Sequence, residues 1–271
     1  MRRLIILAAT ALLVLAGCSN NNNDENTIIV GLECDYAPFN WTQISDSDSA
    51  YRIVGNIGYC DGYDITIASA IADGLGLELV VKQSAWEGLE PALNSGEIDM
   101  IVAGMTDTAE RRQQVSFSDP YYASDMVLIV RADSAFANAT SLADFSGARV
   151  VAQRGTFHDD LVDQIDNVIH QTPLATFPLL VNSVSSQEAD AMVSERPVAV
   201  SIVATNPNLI IIDFAQGQGF ETAAEDTTVS VAVRHSDTEL LASINEILAT
   251  ISTETRNQWM EDALARQPEA E

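Results

Sequence analysis

The sequence predicts an α/β protein built as two lobes. Short apolar runs rich in β-branched residues alternate with stretches of helical periodicity, a rhythm typical of parallel sheets flanked by helices. Two strands, Asp125–Ala132 and Thr228–Val233, bracket a self-contained α/β segment of about 95 residues. If they cross side by side, the chain leaves one lobe, builds the second and returns, and this two-stranded connection is a hinge.

The first 26 residues are excluded from the fold. Met1-Arg2-Arg3 and the apolar run Leu4–Ala16 read as a signal peptide, because spanning a bilayer takes about 20 apolar residues. The run ends in Leu15-Ala16-Gly17-Cys18, which resembles a bacterial lipoprotein signal that is cleaved after residue 17 and lipidated on Cys18. The alternative is an ordinary signal peptide with a chance cysteine. Residues 18–26 are predicted to be a disordered tether.

Acidic residues far outnumber basic ones. The chain has 13 basic and 39 acidic residues and a net charge of −26, and loss of Arg2 and Arg3 takes it to −28. Such a chain repels nucleic acid and anionic lipid, so we predict neither as a partner and interpret the charge as favouring solubility. After the tether, about 245 residues remain for one large or two small cores, and no stretch is apolar enough to cross a membrane.

Two cysteines, Cys34 and Cys60, remain in the body of the chain. In an oxidising exterior they could pair, but sequence spacing leaves open whether they do. Neither these cysteines nor the three histidines show the paired spacing of a metal site, so we predict no metal and no cofactor.

The first half of the chain alternates strand and helix. Thr27–Leu32 reads as a buried strand that runs into the aromatic loop Glu33–Trp41. The elements predicted next are a helix over Asp64–Leu75, a strand over Leu77–Lys82, a helix over Gly88–Ser95 and a strand over Asp99–Ala103. Ligands bind at the carboxyl ends of strands in such sheets, which here are the regions of Glu33, Trp86 and Gly104.

A polar turn, Gly104–Thr108, opens a predicted helix that carries Arg111. Free backbone N–H groups and the helix dipole favour negative charge at a helix start. Arg111, one turn in, could hold a carboxylate with two hydrogen bonds, whereas the plainer alternative is a solvated arginine such as we expect for Arg112. The sequence therefore predicts an anion site at this turn.

The second half repeats this pattern. The turn Arg154–His158 follows a predicted strand, Arg149–Gln153, and opens a helix over Asp159–Ile165. The later predictions are a strand over Asn167–Gln171, a helix over Val181–Ala189, a strand over Asp190–Ser194, a helix beginning at Pro197, a strand over Leu209–Phe214, and one or two helices over Asp237–Arg266 with Asp237 as a cap.

Four motifs together resemble those of a known family. They are Glu33–Phe39 (ECDYAPF), Asp61–Ile65 (DGYDI), Trp86–Asp99, and Gly104–Tyr122 (GMTDTAERRQQVSFSDPYY). In this order and spacing they are similar to the polar amino acid-binding proteins, family 3 of the bacterial extracellular solute-binding proteins, and the likeness runs from Thr27 to Arg266.

That resemblance implies a two-lobed periplasmic-binding-protein-like fold (type II). Lobe 1 would comprise residues 27–127 and 231–271, and lobe 2 residues 128–230, which include the hinge strands. It also implies a monomer that closes on a free amino acid and delivers it to the permease of an ABC transporter. The protein would act at the extracellular face of the cell membrane, or in the periplasm, and touch the membrane through its lipid anchor only.

The resemblance assigns a ligand contact to most of the candidate site. Arg111 matches the residue that binds the ligand carboxylate, and Ala103 the carbonyl that meets the amino group. The remaining matches are Gly104 and Thr106 at the anion turn, Tyr36 and Trp86 as aromatic neighbours of the side chain, Gly155, Thr156 and Phe157 at the second-lobe turn, and Glu195 for the amino group. The family usually has Asp at the last position, so the extra methylene of Glu195 changes its reach.

Several of these residues also have plainer interpretations. Tyr36 and Trp86 could be core aromatics, or they could enclose a ligand side chain with a cation–π contribution. Glu33 could be a solvated carboxylate, or it could receive a cationic or amide side chain of the ligand. His158 lies at a helix start, where we expect a cap or surface residue and not a catalyst.

The sequence favours a binding protein over an enzyme. It has no nucleophile elbow, phosphate loop or histidine–carboxylate motif, and we assign no catalytic residue. We expect a cationic or amide amino acid as the ligand. The alternatives are a lyase similar to the cyclohexadienyl dehydratases, with Glu33 and Glu195 as its acid and base, and an amino-acid-sensing receptor component.

Overall fold

The computed structural model describes residues 26–223 and 225–268. The predicted signal peptide, the lipidation site Cys18 and all but the last residue of the predicted tether lie outside the described residues. Within the two described ranges, no helix is both long enough and apolar enough to cross a membrane.

Strands and helices alternate along the described chain. The strands are β1 (Thr27–Leu32), β2 (Asp35–Tyr36), β3 (Asn40–Gln43), β4 (Tyr51–Arg52), β5 (Tyr59–Asp61), β6 (Glu78–Gln83), β7 (Met100–Ile101), β8 (Ser116–Phe117), β9 (Tyr122–Ala123), β10 (Met126–Arg131), β11 (Arg149–Val151), β12 (Ile169–His170), β13 (Ala191–Glu195), β14 (Leu209–Ile212), β15 (Thr228–Val229) and β16 (Ala232–Val233). The helices are α1 (Tyr63–Leu75), α2 (Trp86–Ser95), α3 (Phe157–Val162), α4 (Phe177–Ser185), α5 (Arg196–Thr205), α6 (Thr238–Ala249) and α7 (Thr253–Arg266). Single turns of 3₁₀ helix lie at Arg111–Gln113, Leu142–Phe145 and Glu225–Thr227.

The first large sheet has the strand order β6-β1-β7-β16-β8. β1 lies between β6 and β7 and runs parallel to both, while β16 is antiparallel to β7 and β8. Helix α2 packs on β1 and helix α1 on β6. A strand covered in this way reads as a continuous apolar run, which is why Thr27–Leu32 could be predicted from the sequence.

The second large sheet has the strand order β12-β11-β13-β10-β14. The first three of these strands are parallel, and β10 is antiparallel to both of its neighbours. The carboxyl end of β11 leads to Gln153, and β13 ends at Glu195. Both sheets therefore present polar residues where their parallel strands end, as the α/β pattern predicts.

The two segments that connect the sheets pair with each other. On the way out Tyr122 and Ala123 form β9, and on the return Val229 and Thr228 of β15 lie antiparallel to them. The predicted return strand takes part in this crossing through Thr228 and Val229, but the predicted outgoing strand is wrong. Asp125–Ala132 lies within the second sheet as β10, because its buried apolar side chains need cover on both faces, and Thr228–Val233 divides into β15 and β16.

Several helices begin or end at residues other than those predicted, because of local interactions at their ends. The helix predicted to carry Arg111 is a single 3₁₀ turn that begins at this residue. Helix α4 begins at Phe177, four residues before the predicted start, with Pro178 in the first turn, where a missing N–H costs no hydrogen bond. Asp237 occupies the N-cap position of α6 but its side chain makes no capping hydrogen bond, since it pairs with Arg234 at 2.7 Å.

A smaller antiparallel sheet, β2-β3-β5-β4, lies beside the first large sheet. Cys34, which follows β1 by two residues, is joined by a disulfide to Cys60 in β5, with the Cα atoms 5.7 Å apart. Part of the predicted loop Glu33–Trp41 is therefore strand, since Tyr36 lies in β2, and the disulfide fixes the segment just before β2 to β5.

Candidate functional site

The ends of the parallel strands of both sheets face a common cavity. Its lining residues come from both sides of the cleft: Glu33, Tyr36, Trp86, Gly104, Thr106, Arg111, Gln153, Thr156, Phe157 and His158. The inner cavity measures about 10 Å³, the space of roughly one water, because the two sides contact each other. A wider mouth of about 740 Å³ shares Trp86, Arg111 and Thr156 with it.

Most of the predicted site residues thus meet in one place. Gly155 lines the mouth, and its carbonyl oxygen accepts hydrogen bonds from Trp86 and Arg111. Glu195 is buried in contact with Tyr36. Ala103 is buried and does not line the cavity. The cleft is closed in this arrangement, since these hydrogen bonds join one side to the other.

Arg111 is a buried cation, only 9% exposed, so the alternative of a solvated arginine is wrong. Its guanidinium donates to the Thr106 carbonyl at 2.8 Å and to the Gly155 carbonyl at 3.2 Å. Its ion pair with Glu90, the only one it makes among the described residues, is loose, at 3.8 Å from Nε. Burial lowers the pKa of Arg111, and the ring of Trp86 lies 4.9 Å from its guanidinium carbon. A buried cation held mainly by neutral carbonyls favours an anion as its partner.

Gly104 lines the cavity at a position where a larger residue would not fit. Its φ is +58°, and a Cβ atom would lie 2.9 Å from Cε1 of Tyr36. Its N–H donates to the Tyr121 hydroxyl at 3.0 Å, and that hydroxyl in turn donates to Asp64 at 2.7 Å. The Gly104 N–H is therefore engaged below the cavity, and the close approach of the Tyr36 ring is what requires glycine here.

Glu195 is 1% exposed at the end of β13. Its Oε1 accepts from the Tyr36 hydroxyl at 3.1 Å, and its Oε2 accepts from the Ser124 hydroxyl at 3.0 Å. Burial raises the pKa of Glu195 to about 7, although both hydrogen bonds oppose the rise. A cation bound beside this carboxylate would stabilise its ionised form.

Glu33 is a second buried carboxyl group, 5% exposed, so it is not a solvated carboxylate. Gln153 reaches it from the second sheet, with Nε2 donating to Glu33 Oε1 at 3.0 Å and to the Ala175 carbonyl at 3.1 Å. Burial, followed by the charge of Asp35, raises the pKa of Glu33 to about 8. An acid and an amide side by side offer donors and acceptors to a polar ligand side chain.

The two predicted aromatic residues line the cavity but do not form an open pair of rings. Tyr36 stacks on Phe39 with ring centroids 5.4 Å apart, and it packs at a tilt against Phe177 at 4.5 Å. Trp86 has Arg111 against its ring and donates from Nε1 to the Gly155 carbonyl at 2.9 Å. Each ring therefore also packs against or bonds to other residues of the cleft, in addition to lining the cavity.

Two lining residues, Gln153 and His158, were not among the predicted contacts. His158 is 6% exposed, so the expectation of a cap or surface residue is wrong. The buried spacing of His158, Leu161 and Val162 along α3 is the signal that identifies it as inward-facing. Gln153 is the first polar residue beyond β11, at a strand end where ligand contacts are expected.

The sequence matches a family described as bacterial extracellular solute-binding proteins, family 3, over residues 28–262. The chain belongs to this family. A probable histidine-binding protein of Campylobacter jejuni is 31% identical over 201 residues, which is 73% of this chain and 72% of that protein.

Solved structures share the fold of this solute-binding protein. An amino acid ABC transporter substrate-binding protein from Streptococcus pneumoniae, bound to L-arginine, has a TM-score of 0.76 at 26% identity, covering 89% of this chain and 94% of that one. An ancestral arginine-binding protein bound to glutamine has a TM-score of 0.70 at 30% identity, covering 88% and 97%. The two-lobed α/β fold predicted from the sequence is confirmed.

The cleft of this solute-binding protein thus has one cationic end and one acidic end. Arg111 lies at the first and Glu33 at the second, while Glu195 contacts two residues that line the cavity, Tyr36 and His158. A zwitterion with a polar side chain carries charges that match these ends in sign. The mouth outside is lined by further acidic residues, among them Glu87, Glu90, Glu110, Asp159 and Asp160.

Proposed function

We propose that this protein captures a free amino acid with a cationic or amide side chain and delivers it to an ABC importer. The proposal rests on the buried Arg111 guanidinium, whose hydrogen bonds go to backbone carbonyls and whose single ion pair among the described residues, with Glu90, is loose at 3.8 Å. A desolvated cation of this kind gains most from a ligand carboxylate that binds it with two hydrogen bonds.

In the proposed complex the α-carboxylate binds Arg111 and the Thr106 hydroxyl, and backbone N–H groups at Gly155, Thr156 and Phe157 complete that end. The α-amino group binds the carboxylate of Glu195, with the Ala103 carbonyl as a further acceptor. The side chain extends along Tyr36 and Trp86 toward Glu33 and Gln153. A guanidinium, ammonium or amide side chain suits this end, whereas the carboxylate of glutamate or aspartate would meet Glu33.

Ligand entry requires the cleft to open, because the inner cavity of about 10 Å³ is far smaller than an amino acid. The predicted lobe limit between residues 127 and 128 divides β10, so we propose limits at residues 27–125 with 231–271, and at 126–230, and opening about the paired strands β9 and β15. Binding then favours closure because only the closed form lets the ligand contact both lobes.

A thermal-shift screen of the purified chain against the twenty amino acids tests the ligand class. We expect stabilisation by arginine, lysine, histidine or glutamine, and calorimetry should give one site per chain. Stabilisation by acidic amino acids alone, or by none of the twenty, would contradict the proposal.

A lyase is the second candidate, favoured by two buried carboxyl groups whose pKa values are raised to about 8 and about 7, those of Glu33 and Glu195. Carboxyl groups with raised pKa values in a cleft are typical of general acids. Incubation with prephenate and arogenate separates the candidates: product formation would favour the lyase, and saturable amino-acid binding without product would favour the binding protein.

We also propose that the mature chain is anchored at the extracellular face of the membrane by a lipid on Cys18. In cells fed a palmitate analogue, the wild-type chain should be labelled and the Cys18→Ala variant should not. Equal labelling of both would exclude this anchor.

A further inference from the structure

His158 is a buried residue whose ring nitrogens are not hydrogen-bonded within the described part of the fold. The side chain lies on α3, lines the inner cavity and is buried at 6% exposure. Neither of its ring nitrogens has a hydrogen-bond partner among the described residues. Buried polar groups without partners are rare because each loses its hydrogen bonds to water on folding, so a partner from outside the chain is the simplest explanation.

The surroundings of the ring keep it neutral. Burial, followed by the positive charge of Arg111, lowers the pKa of His158 to about 4. Phe177 packs at the edge of the ring with centroids 5.9 Å apart. A neutral imidazole has one N–H donor and one acceptor nitrogen, so His158 can accept a hydrogen bond from a cationic donor.

The position of Glu195 indicates which donor this is. His158 Nε2 lies 3.8 Å from Glu195 Oε1, too far for a direct hydrogen bond. If a ligand nitrogen lay about 2.9 Å from both atoms, the angle between the two contacts at that nitrogen would be about 80°. The N–H bonds of an ammonium group are ~109° apart, so it could donate to both atoms through two slightly bent hydrogen bonds. A carboxylate or an apolar group could not donate to both.

We propose that His158, as a neutral acceptor, binds the α-amino group of the ligand together with Glu195. This inference rests on the proposed function, and it assigns to His158 a contact that discriminates amino acids from the corresponding des-amino acids. The ammonium would share its N–H bonds between a charged and a neutral acceptor, so recognition at this end depends on residues of β13 and α3 together.

The test combines two variants with two ligands. The first ligand pair is L-arginine and 5-guanidinopentanoate, which is arginine without its α-amino group. If arginine does not bind, the pair is L-glutamine and glutaramate, which differ in the same way. We expect His158→Phe to weaken binding of the amino acid at least about tenfold and binding of the des-amino acid, measured by competition, less than about threefold. His158→Gln, which keeps an acceptor, should retain part of the affinity.

The controls separate this role from a structural one. His170 is a matched histidine outside the cleft, bonded to Asp159 and Asp163, and His170→Phe should leave both affinities unchanged. The melting temperature of ligand-free His158→Phe should not fall, since the change removes buried polar atoms that have no partner.

Unchanged amino-acid affinity in His158→Phe, or an equal loss for both ligands, would overturn the inference. Failure of the wild-type chain to bind any amino acid would instead overturn the proposed function.

Discussion

The two charged ends of the cleft are held in different ways. Arg111 is fixed mainly by its own side, through the Thr106 carbonyl and the ring of Trp86. Glu195, at the end of β13, is held by Tyr36 and Ser124, neither of which belongs to the second sheet. The carboxylate end is therefore largely formed before closure, whereas the amino end is completed by it. This difference predicts binding in two steps, with docking at Arg111 followed by closure onto Glu195.

The largest effect is expected from Arg111→Ala. Removing one member of a desolvated charged pair typically costs ~2–5 kcal/mol, so the affinity for the amino acid should fall by at least about tenfold. Arg112→Ala is the matched control, because this neighbouring side chain is exposed and bonded to Asp107. Calorimetric titration measures both variants, and unchanged affinity in Arg111→Ala would contradict the assignment of the ligand carboxylate to this residue.

Glu195→Gln should weaken binding about tenfold, through loss of a charge-assisted hydrogen bond. If this residue acts after docking, the dissociation rate should rise while the association rate stays within about threefold of wild type. Stopped-flow tryptophan fluorescence gives both rates, and Glu188→Gln, on an exposed residue, is the control. An association rate reduced as strongly as in Arg111→Ala would contradict the two-step order.

Three buried carboxyl groups in and below the cleft should make stability depend on pH. Burial raises the pKa of Glu33 to about 8, of Glu195 to about 7 and of Asp64 to about 6, above the values near 4 expected in the unfolded chain. Protons released by the unfolded chain are thus retained by the native one. Proton binding therefore stabilises the folded chain, fully at pH values below the pKa values of the unfolded chain. This stabilisation is lost as the pH rises through the pKa values of the folded chain.

Each such group contributes a slope of ~1.4 kcal/mol per pH unit in this window. The melting temperature of the ligand-free chain should therefore fall from about pH 5 to about pH 8. Glu33→Gln should reduce this fall, and Glu78→Gln, on an exposed residue, should not. Equal pH profiles for wild type and Glu33→Gln would show that Glu33 stays ionised in the folded chain.

The smallest effect is expected at the rim. Arg154 and Glu87 bridge the cleft with two hydrogen bonds of 2.8 and 3.0 Å, but both side chains are about half exposed. Exposed pairs contribute about 0–1 kcal/mol, so Arg154→Ala should change affinity less than about fivefold. A larger loss by calorimetry would mean that the rim, and not the buried ends, controls closure.

Local pattern was sufficient to predict the longer strands and helices of this fold, but not its short elements or how the elements meet. The apolar run of β1 and the helical spacing of α1 were read correctly because each is set by its own residues. The crossing was misplaced because pairing of β9 with β15 depends on chain segments more than a hundred residues apart. The start of α4 was missed although Pro178 marks it.

The same distinction between local pattern and long-range contact applies to the candidate site. Arg111, Tyr36 and Trp86 could be identified because they stand in motifs with a family-like order. The partners of Glu33 and Glu195 could not, since Gln153 and Tyr36 reach them from the opposite side of the closed cleft. The burial of His158 was missed because its one sequence signal, the spacing with Leu161 and Val162, spans little more than one turn of a six-residue helix.

A crystal structure of the chain with the amino acid that stabilises it most would show directly how Arg111 and Glu195 bind the ligand. We expect carboxylate oxygens about 3 Å from the Arg111 guanidinium, the ammonium about 3 Å from Glu195, and a side chain directed at Glu33. A ligand with its ammonium at Glu33 and its carboxylate away from Arg111 would contradict it.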